Sequence, residues 1–439
     1  MSLRSSPLQS TLDRRGGKRP FDAVSFLTLY LVLTCAIPSY LVIPALGSLG
    51  RPSTLFALAG LLWWALHRVS TPVPVTSGSA PVRITLLIFT GVVLVSYALA
   101  SFLGIPSSES SPADSGVLRM VGWVGVALIA NDGIQTHERL DALLRRIVVI
   151  GGLMATLGLA QFWTGVSLVD WISLPGFIRD GNFDNVQSRA GFVRSAGTAS
   201  HPLEYGVVLC MALPLGIAIA LTESRRSPWL RWLPVAVMAF ASMLSVSRSA
   251  LIGVAVGVLI LVPGWPRKIR LAALGAVIAL MGAVYVLVPG MAGTIRGLFL
   301  GVGSDSSTVS RTNAYDQALE IASRNPLFGR GFGTFLPQYL ILDNQILLLI
   351  IELGIFGLVA GAVMVGTAMV VSWRSGRAMT DFAAAQKRFA IAASIAAGTV
   401  TFLFFDGLSF PMAAAIFFTM LGVAGSASWI ATNESRALR

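Results

Sequence analysis

The chain has 439 residues, of which 55% are hydrophobic and only 12% charged, against about 45–50% and about 25% in soluble proteins. So few charges cannot cover a soluble surface of this size, and a mean hydropathy of +0.76 agrees, so lipid is the expected solvent for most of the chain. A cytosolic enzyme, a nucleic-acid binder and a disordered scaffold are excluded. The net charge of +12 is read as topology, because membrane proteins gather Lys and Arg on one side.

Apolar stretches able to cross about 30 Å of hydrocarbon predict twelve spans, roughly 23–47, 53–67, 84–104, 116–131, 143–164, 203–222, 230–246, 249–263, 271–288, 342–372, 389–405 and 407–430. The first is longer than the apolar region of a signal peptide and no small-residue cleavage site follows it, so it is expected to be retained. The tenth is too long for one simple crossing and is expected to tilt or project. These spans give a cytoplasmic tail at 1–22, a body at 23–288 with an outer loop at 165–202, a large helical extracytoplasmic loop at 289–341, further spans over 342–430, and a second cytoplasmic tail at 431–439. The expected fold is an all-α polytopic protein of about 12 transmembrane helices in the inner (plasma) membrane.

The charges support this count. With the N-terminus inside, the inner segments hold 22 of the 32 Lys and Arg residues and the outer segments ten, as the positive-inside rule requires. All three lysines fall inside, whereas the ten outer cations are all arginine, seven of them in the two long outer loops. A planar guanidinium grips phosphate or carboxylate with two parallel bonds, where an ammonium is a point charge. Cys35 and Cys210 lie in apolar runs and His67, His137 and His201 are scattered, so neither a disulfide framework nor a metal site is expected.

Four outer segments carry pattern. Residues 189–206 hold Arg189 and Arg194 among small residues, then His201-Pro202 leading into the sixth span; Pro202 suits the first position of a helix, and His201 caps that helix or binds a ligand. Ser245-Val246-Ser247-Arg248 leaves almost no loop between the seventh and eighth spans, which sets Arg248 close to hydrocarbon, where a cation is costly unless paired or functional. Residues 307–324 read as an amphipathic helix with Tyr315, Ala318, Leu319 and Ala322 on one face and Arg311 one turn before Tyr315. Gly329-Arg330-Gly331-Phe332-Gly333 follows, and its glycines are expected to let backbone amides approach a ligand. Last, Asp343-Asn344 opens the tenth span with Asp343 as the expected N-cap, and Glu352 lies about 2.5 turns deeper. Asp406 is a further outer carboxylate. Several arginines with one accessible carboxylate fit an anionic ligand such as a lipid diphosphate, with the carboxylate taking a proton from an attacking hydroxyl.

These residues resemble the O-antigen ligase and polymerase superfamily of membrane glycosyltransferases. The resemblance is densest from Ser310 to Gly357 and extends to Arg194, Gly197, His201-Pro202 and Ser245–Arg248. It implies inverting, metal-independent transfer of a glycan from an undecaprenyl-diphosphate donor to a lipid or glycan acceptor hydroxyl on the extracytoplasmic side of the bilayer. It implies no cofactor and no nucleic acid. Diphosphate binding then falls to Arg194, Arg248 and Arg311, with Arg189, Arg330, His201, Tyr315 and Asn344 around them. Where the family often has His-Asn, this chain has Asp343-Asn344. Asp343 is the expected catalytic base, although an aspartate with its reference pKa of about 4 is weak unless burial raises it. The rival reading is a lipid-linked glycan flippase or transporter, which should show two related halves and cations along the middle of its spans; neither is seen.

Overall fold

The computed structural model describes residues 21–70, 80–180, 187–189, 191–224, 227–300 and 306–437, without the side chains of 299, 306–313 and 435–437. It is mostly helical. In chain order the helices are α1 Ala23–Ala36, α2 Pro52–Ser70, α3 Pro81–Leu103, α4 Ser107–Gly133, α5 His137–Thr164, α6 Pro202–Thr222, α7 Pro228–Leu244, α8 Arg248–Leu261, α9 Arg267–Leu287, α10 Met291–Leu300, α11 Ser306–Ser323, α12 Gln345–Ala378, α13 Phe382–Thr401 and α14 Pro411–Ala437. Each of the twelve apolar segments overlaps one of these helices, and α10 and α11 fall within 289–341. The first segment, expected to run from 23 to 47, is corrected, because its helix ends at Ala36 and the chain turns through Leu41–Val42 and a 3-10 turn at Pro44–Gly50. Seven helices are long and apolar enough to cross a membrane, and three shorter ones, Ala23–Ala36, Pro228–Leu244 and Arg248–Gly264, are also apolar.

Local signals set many of the helix ends. Asp22 caps α1 through Ser25 N–H at 2.9 Å, Thr136 and Asp381 cap α5 and α13, and left-handed Gly165 closes α5. The fold departs from purely helical in two small antiparallel ladders. One pairs β1 Leu41–Val42 with β2 Ile178–Arg179, and the other pairs β3 Gln187–Arg189 with β4 Phe192–Arg194.

The core gathers around α4, α6 and α14, whose apolar stretches are 72%, 78% and 89% buried. Small residues let backbones approach there, because in lipid it is close packing and not apolarity that drives helices together. A Cβ on Gly206 of α6 would meet the Cβ of Ala250 on α8 at 2.8 Å, and one on Gly257 of α8 would meet Pro214 of α6 at 2.8 Å. Hence α6 and α8 run side by side with their N-terminal ends together.

The long tenth segment is not one straight helix. At Gly354 the backbone turns to φ 65°, ψ −162° inside α12, so residues 345–353 form a separate segment. This corrects the expectation of a single tilted or projecting span.

Candidate active site at the N-terminal ends of α6, α8 and α12

The break in α12 is filled by the glycine motif. Without a break, Ile355 and Phe356 N–H would bond to Ile351 and Glu352 C=O. Instead Arg330 and Gly331 N–H donate to Ile351 and Glu352 C=O, both at 3.0 Å, while Ile355 and Phe356 N–H donate to Pro326 and Leu327 C=O at 2.9 and 3.2 Å. Two lost helical bonds are replaced by four bonds to an inserted loop, and Ser96 Oγ adds bonds to Phe328 O (2.6 Å) and Glu352 O (2.9 Å). The approach is close enough to demand glycine on both sides. A Cβ on Gly329 would lie 2.2 Å from the Glu352 carbonyl carbon, and one on Gly354 would lie 2.4 Å from the Leu327 carbonyl; both residues have positive φ. The expectation that the amides of this motif are kept for a ligand is thus corrected for Arg330 and Gly331, because the broken helix uses them. Glu352 is buried, and its Oε1 accepts from Phe335 N–H at 3.3 Å. Arg330 is held by buried Glu109 at 2.6 Å and by the faces of Phe335 and Tyr339, while Tyr339 Oη donates to the same carboxylate at 2.7 Å.

Just before this clasp, Asn344 and not Asp343 is the N-cap of α12: its Oδ1 accepts from Ile346 N–H (2.9 Å) and Leu347 N–H (3.3 Å). That corrects the expected cap and leaves Asp343, half-buried, outside the helix. Gln345 pins this end of α12 to the turn after α13, donating its N–H to Phe402 O at 2.9 Å and accepting Leu408 N–H at 2.8 Å. Asp406 in that turn has its pKa pushed up to about 6 by burial, with the charge of Asp343 adding to the rise and Ser409 opposing it. The two carboxylates are therefore electrostatic neighbours.

The arginine side of the site is built from α6, α8 and the β3–β4 hairpin. Arg194 is buried, and its Nε donates to Ser245 O at 3.3 Å. Burial, and then the charge of Arg189 in the paired strand, press its pKa down to about 10, so it stays cationic at neutral pH. The bonded turn is strained. Fully buried Val246 has φ 47°, the only positive φ outside glycine among the described residues, and a β-branched side chain resists that conformation. Ser247 then caps α8, so Arg248 stands at the first residue of a helix whose N-terminal end is itself positive. Two positive features at one point favour an anion there.

His201 caps α6, its Nδ1 accepting Leu203 N–H at 3.1 Å. Burial, helped by Arg194, depresses its pKa to about 4, so at neutral pH the ring is neutral with its proton on Nε2. The ring lies 5.8 Å from Phe410, which links the arginine side to the turn holding Asp406. The side chain of Arg311 lies outside the described residues. Its helix α11 buries Ala314, Ala318 and Ala322 against Leu342, Phe335 and Ile351, which lays it over the start of α12 beside Asp343. Tyr315 and Leu319 are exposed, so the apolar face is displaced by one residue from the predicted one.

Two residues escaped the sequence reading. Glu204, fully buried, accepts from Ser39 Oγ (3.1 Å), Ser200 N–H (2.9 Å), Ser200 Oγ (3.0 Å) and Met412 N–H (2.6 Å), and so braces the N-terminal ends of α6 and α14. An acid in the first turn of an apolar helix was the signal available. Arg119 on α4 lies within electrostatic reach of Glu352, Arg51 and Asp180, and its buried Nε has no hydrogen-bond partner; nothing in its local sequence marked it. Among the described residues, no three His, Cys, Asp or Glu side chains gather as a metal ion would require.

No curated protein matches the chain. The family model for O-antigen ligase matches residues 233–362, a stretch that opens in α7, contains the strained turn, Arg248, Arg311, Arg330, Asp343 and Asn344, and ends beyond the clasp in α12. Over residues 233–362 the chain is thus similar to the O-antigen ligase family.

Proposed function

We propose that the protein is a membrane glycosyltransferase moving a glycan from an undecaprenyl-diphosphate-linked donor to an acceptor hydroxyl at the extracytoplasmic face of the inner membrane. The observation that carries this reading is the bond from Arg194 to the strained turn that presents Arg248 at a positive helix end, within and beside the stretch similar to O-antigen ligases. Arg194 and Arg248, with Arg189 and Arg311 near them in the same end of the bundle, neutralise the diphosphate. They stabilise the charge that develops on it as the anomeric C–O bond breaks. Asp343 takes the proton from the acceptor hydroxyl while that oxygen bonds to the anomeric carbon from the opposite face, inverting it. Above about pH 6 the ionised Asp406 adds a second carboxylate charge to this end of the bundle. His201 offers a neutral Nε2–H donor to the same anion. In this reading Arg330 and Asn344 hold the clasp and the cap, and position Asp343. Metal independence belongs to the proposal as well.

The test is turnover of a lipid-diphosphate donor by purified protein. Asp343→Asn should lower turnover by about 10²–10⁴-fold with unchanged thermal stability. Arg248→Lys should rescue Arg248→Ala poorly, because the fork is lost, and EDTA should leave the wild type active. Wild-type turnover in Asp343→Asn sinks the base assignment. Full activity in Arg248→Lys reduces the arginines to a generic positive patch, and loss on chelation with recovery on adding Mg²⁺ removes them as the sole charge stabilisers.

A further inference from the structure

A cavity of about 1420 Å³ lies at the opposite end of the bundle. It is walled by the C-terminal ends of α2, α4, α12 and α14 and by the N-terminal ends of α3, α5 and α13. The positive-inside reading puts this end in the cytoplasm. The cavity's charges divide unevenly between satisfied and unsatisfied. All five acids in its wall have partners. Asp132 accepts from Arg83 (3.1 Å), Trp64 (3.0 Å) and Asn131 (2.7 Å), and Asp141 pairs with Lys387. Asp22 pairs with Arg139, Glu434 with His137, and Asp381 caps α13 through Ala384 N–H at 2.8 Å. Arg388 contrasts with them. It lines the cavity yet is 1% exposed, and only its Nη1 is engaged, by Ala384 O at 3.1 Å. Its Nε and Nη2 are buried with no hydrogen-bond partner among the described residues.

Those two nitrogens form one edge of the guanidinium, the pair of parallel N–H groups that meets two oxygens of a phosphate or carboxylate side-on. Leaving such an edge empty in the interior is costly, because its N–H donors give up water without gaining an acceptor, even where carboxylates nearby balance the charge. Glu434, Asp141 and Asp381 act on its charge through space, but no acid of the wall is hydrogen-bonded to it among the described residues, and each already serves another group. We propose that this cavity is an anion-binding site in which the Nε–Nη2 edge of Arg388 grips a phosphate-type oxyanion. The group comes either from an anionic phospholipid headgroup of the adjacent leaflet or from a free phosphate or diphosphate. Arg68 and Arg374 in the same wall add positive field. The site is separate from the outer catalytic reading and does not depend on it.

The experiment measures binding by the full-length protein in neutral detergent, without reference to turnover. Thermal midpoints are followed against inorganic phosphate, against chloride at equal ionic strength, and against short-chain phosphatidylglycerol or phosphatidylcholine. A ligand that binds only the folded state raises the midpoint. Phosphate and phosphatidylglycerol should stabilise the wild type where chloride and phosphatidylcholine do not, and Arg388→Gln should weaken the apparent affinity at least about tenfold. Stabilisation by phosphatidylglycerol alone assigns the site to a headgroup, and stabilisation by phosphate as well assigns it to the oxyanion itself. Arg388→Lys, which keeps the charge and loses the edge, should bind as poorly as Arg388→Gln and serves if the latter does not fold. Hydrogen exchange on the wild type should show phosphate-dependent protection over 379–388 and 425–434. Equal responses in wild type and Arg388→Lys, no response in the wild type, or protection confined to 345–353 overturns the proposal.

Discussion

Helices α6 and α9 are matched in length, 21 residues each, and equally apolar, yet the apolar stretch of α6 is 78% buried and that of α9 only 6%. Apolarity therefore assigns a segment to the membrane without saying whether it faces protein or lipid. Small and polar residues make the difference. Along α6, Gly206, Cys210 and Pro214 meet Ala250, Gly253 and Gly257 of α8, and Glu204 ties its N-terminal end to α14. Along α9 only Val284 is buried, and Gly275 and Gly282 face open space. The helix that carries site residues at its end is the one locked by close backbone approach and buried hydrogen bonds. The more exposed helix joins the core only at its C-terminal end, where Val284 packs with Val246 and Leu244.

The comparison can be broken most severely at Glu204. Replacement by Ala leaves the donors of Ser39, Ser200 and Met412 without their acceptor and should cost about 1–3 kcal/mol for each donor left unsatisfied, read as a large fall in the thermal midpoint of the detergent-solubilised protein. A midpoint within a degree or two of wild type would show that Glu204 is not the brace described.

Next in size is a matched pair of glycine substitutions. Gly257→Leu forces a side chain into Pro214 and should destabilise by about 1–3 kcal/mol. Gly282→Leu on α9 meets nothing within 4 Å and should stay within about 0.5 kcal/mol of wild type. Equal effects at the two sites would dissolve the distinction between the helices.

The smallest effect is a slope with pH at the cap of α6. His201 is held neutral, its pKa depressed from 6.5 to about 4, so between those values the unfolded chain binds the proton more readily than the folded one. Its contribution to stability is complete above about pH 6.5 and is lost as pH falls through about 4. Asparagine caps a helix equally well and does not titrate. His201→Asn should therefore keep the midpoint at pH 7.5 and flatten its fall on acidification. An unchanged slope would mean that His201 is not the titrating group.

Much of this was legible in the sequence. Each predicted apolar run overlaps a helix because length and apolarity are properties of a contiguous segment, although the first run is helical only as far as Ala36. The strained turn before Arg248 was flagged by a loop too short to be ordinary. The similarity to O-antigen ligases was legible because the matching motifs lie within one stretch of chain.

What only tertiary structure decided involves partners far apart in sequence. Gly329 and Gly354 are required by each other across the broken helix, Arg330 is held by Glu109 and Arg194 by Ser245, and the unfilled edge of Arg388 depends on where five acids found their partners. Even the cap of α12 turned on one residue, Asn344 over Asp343, because two adjacent residues have equal propensity and only the packed turn from Phe402 to Leu408 sets which of them enters the helix. Local sequence determines which segments are helical, since those energies are summed over neighbours. The destination of a charged or hydrogen-bonding group is settled by desolvation, and burial exists only once the helices have met.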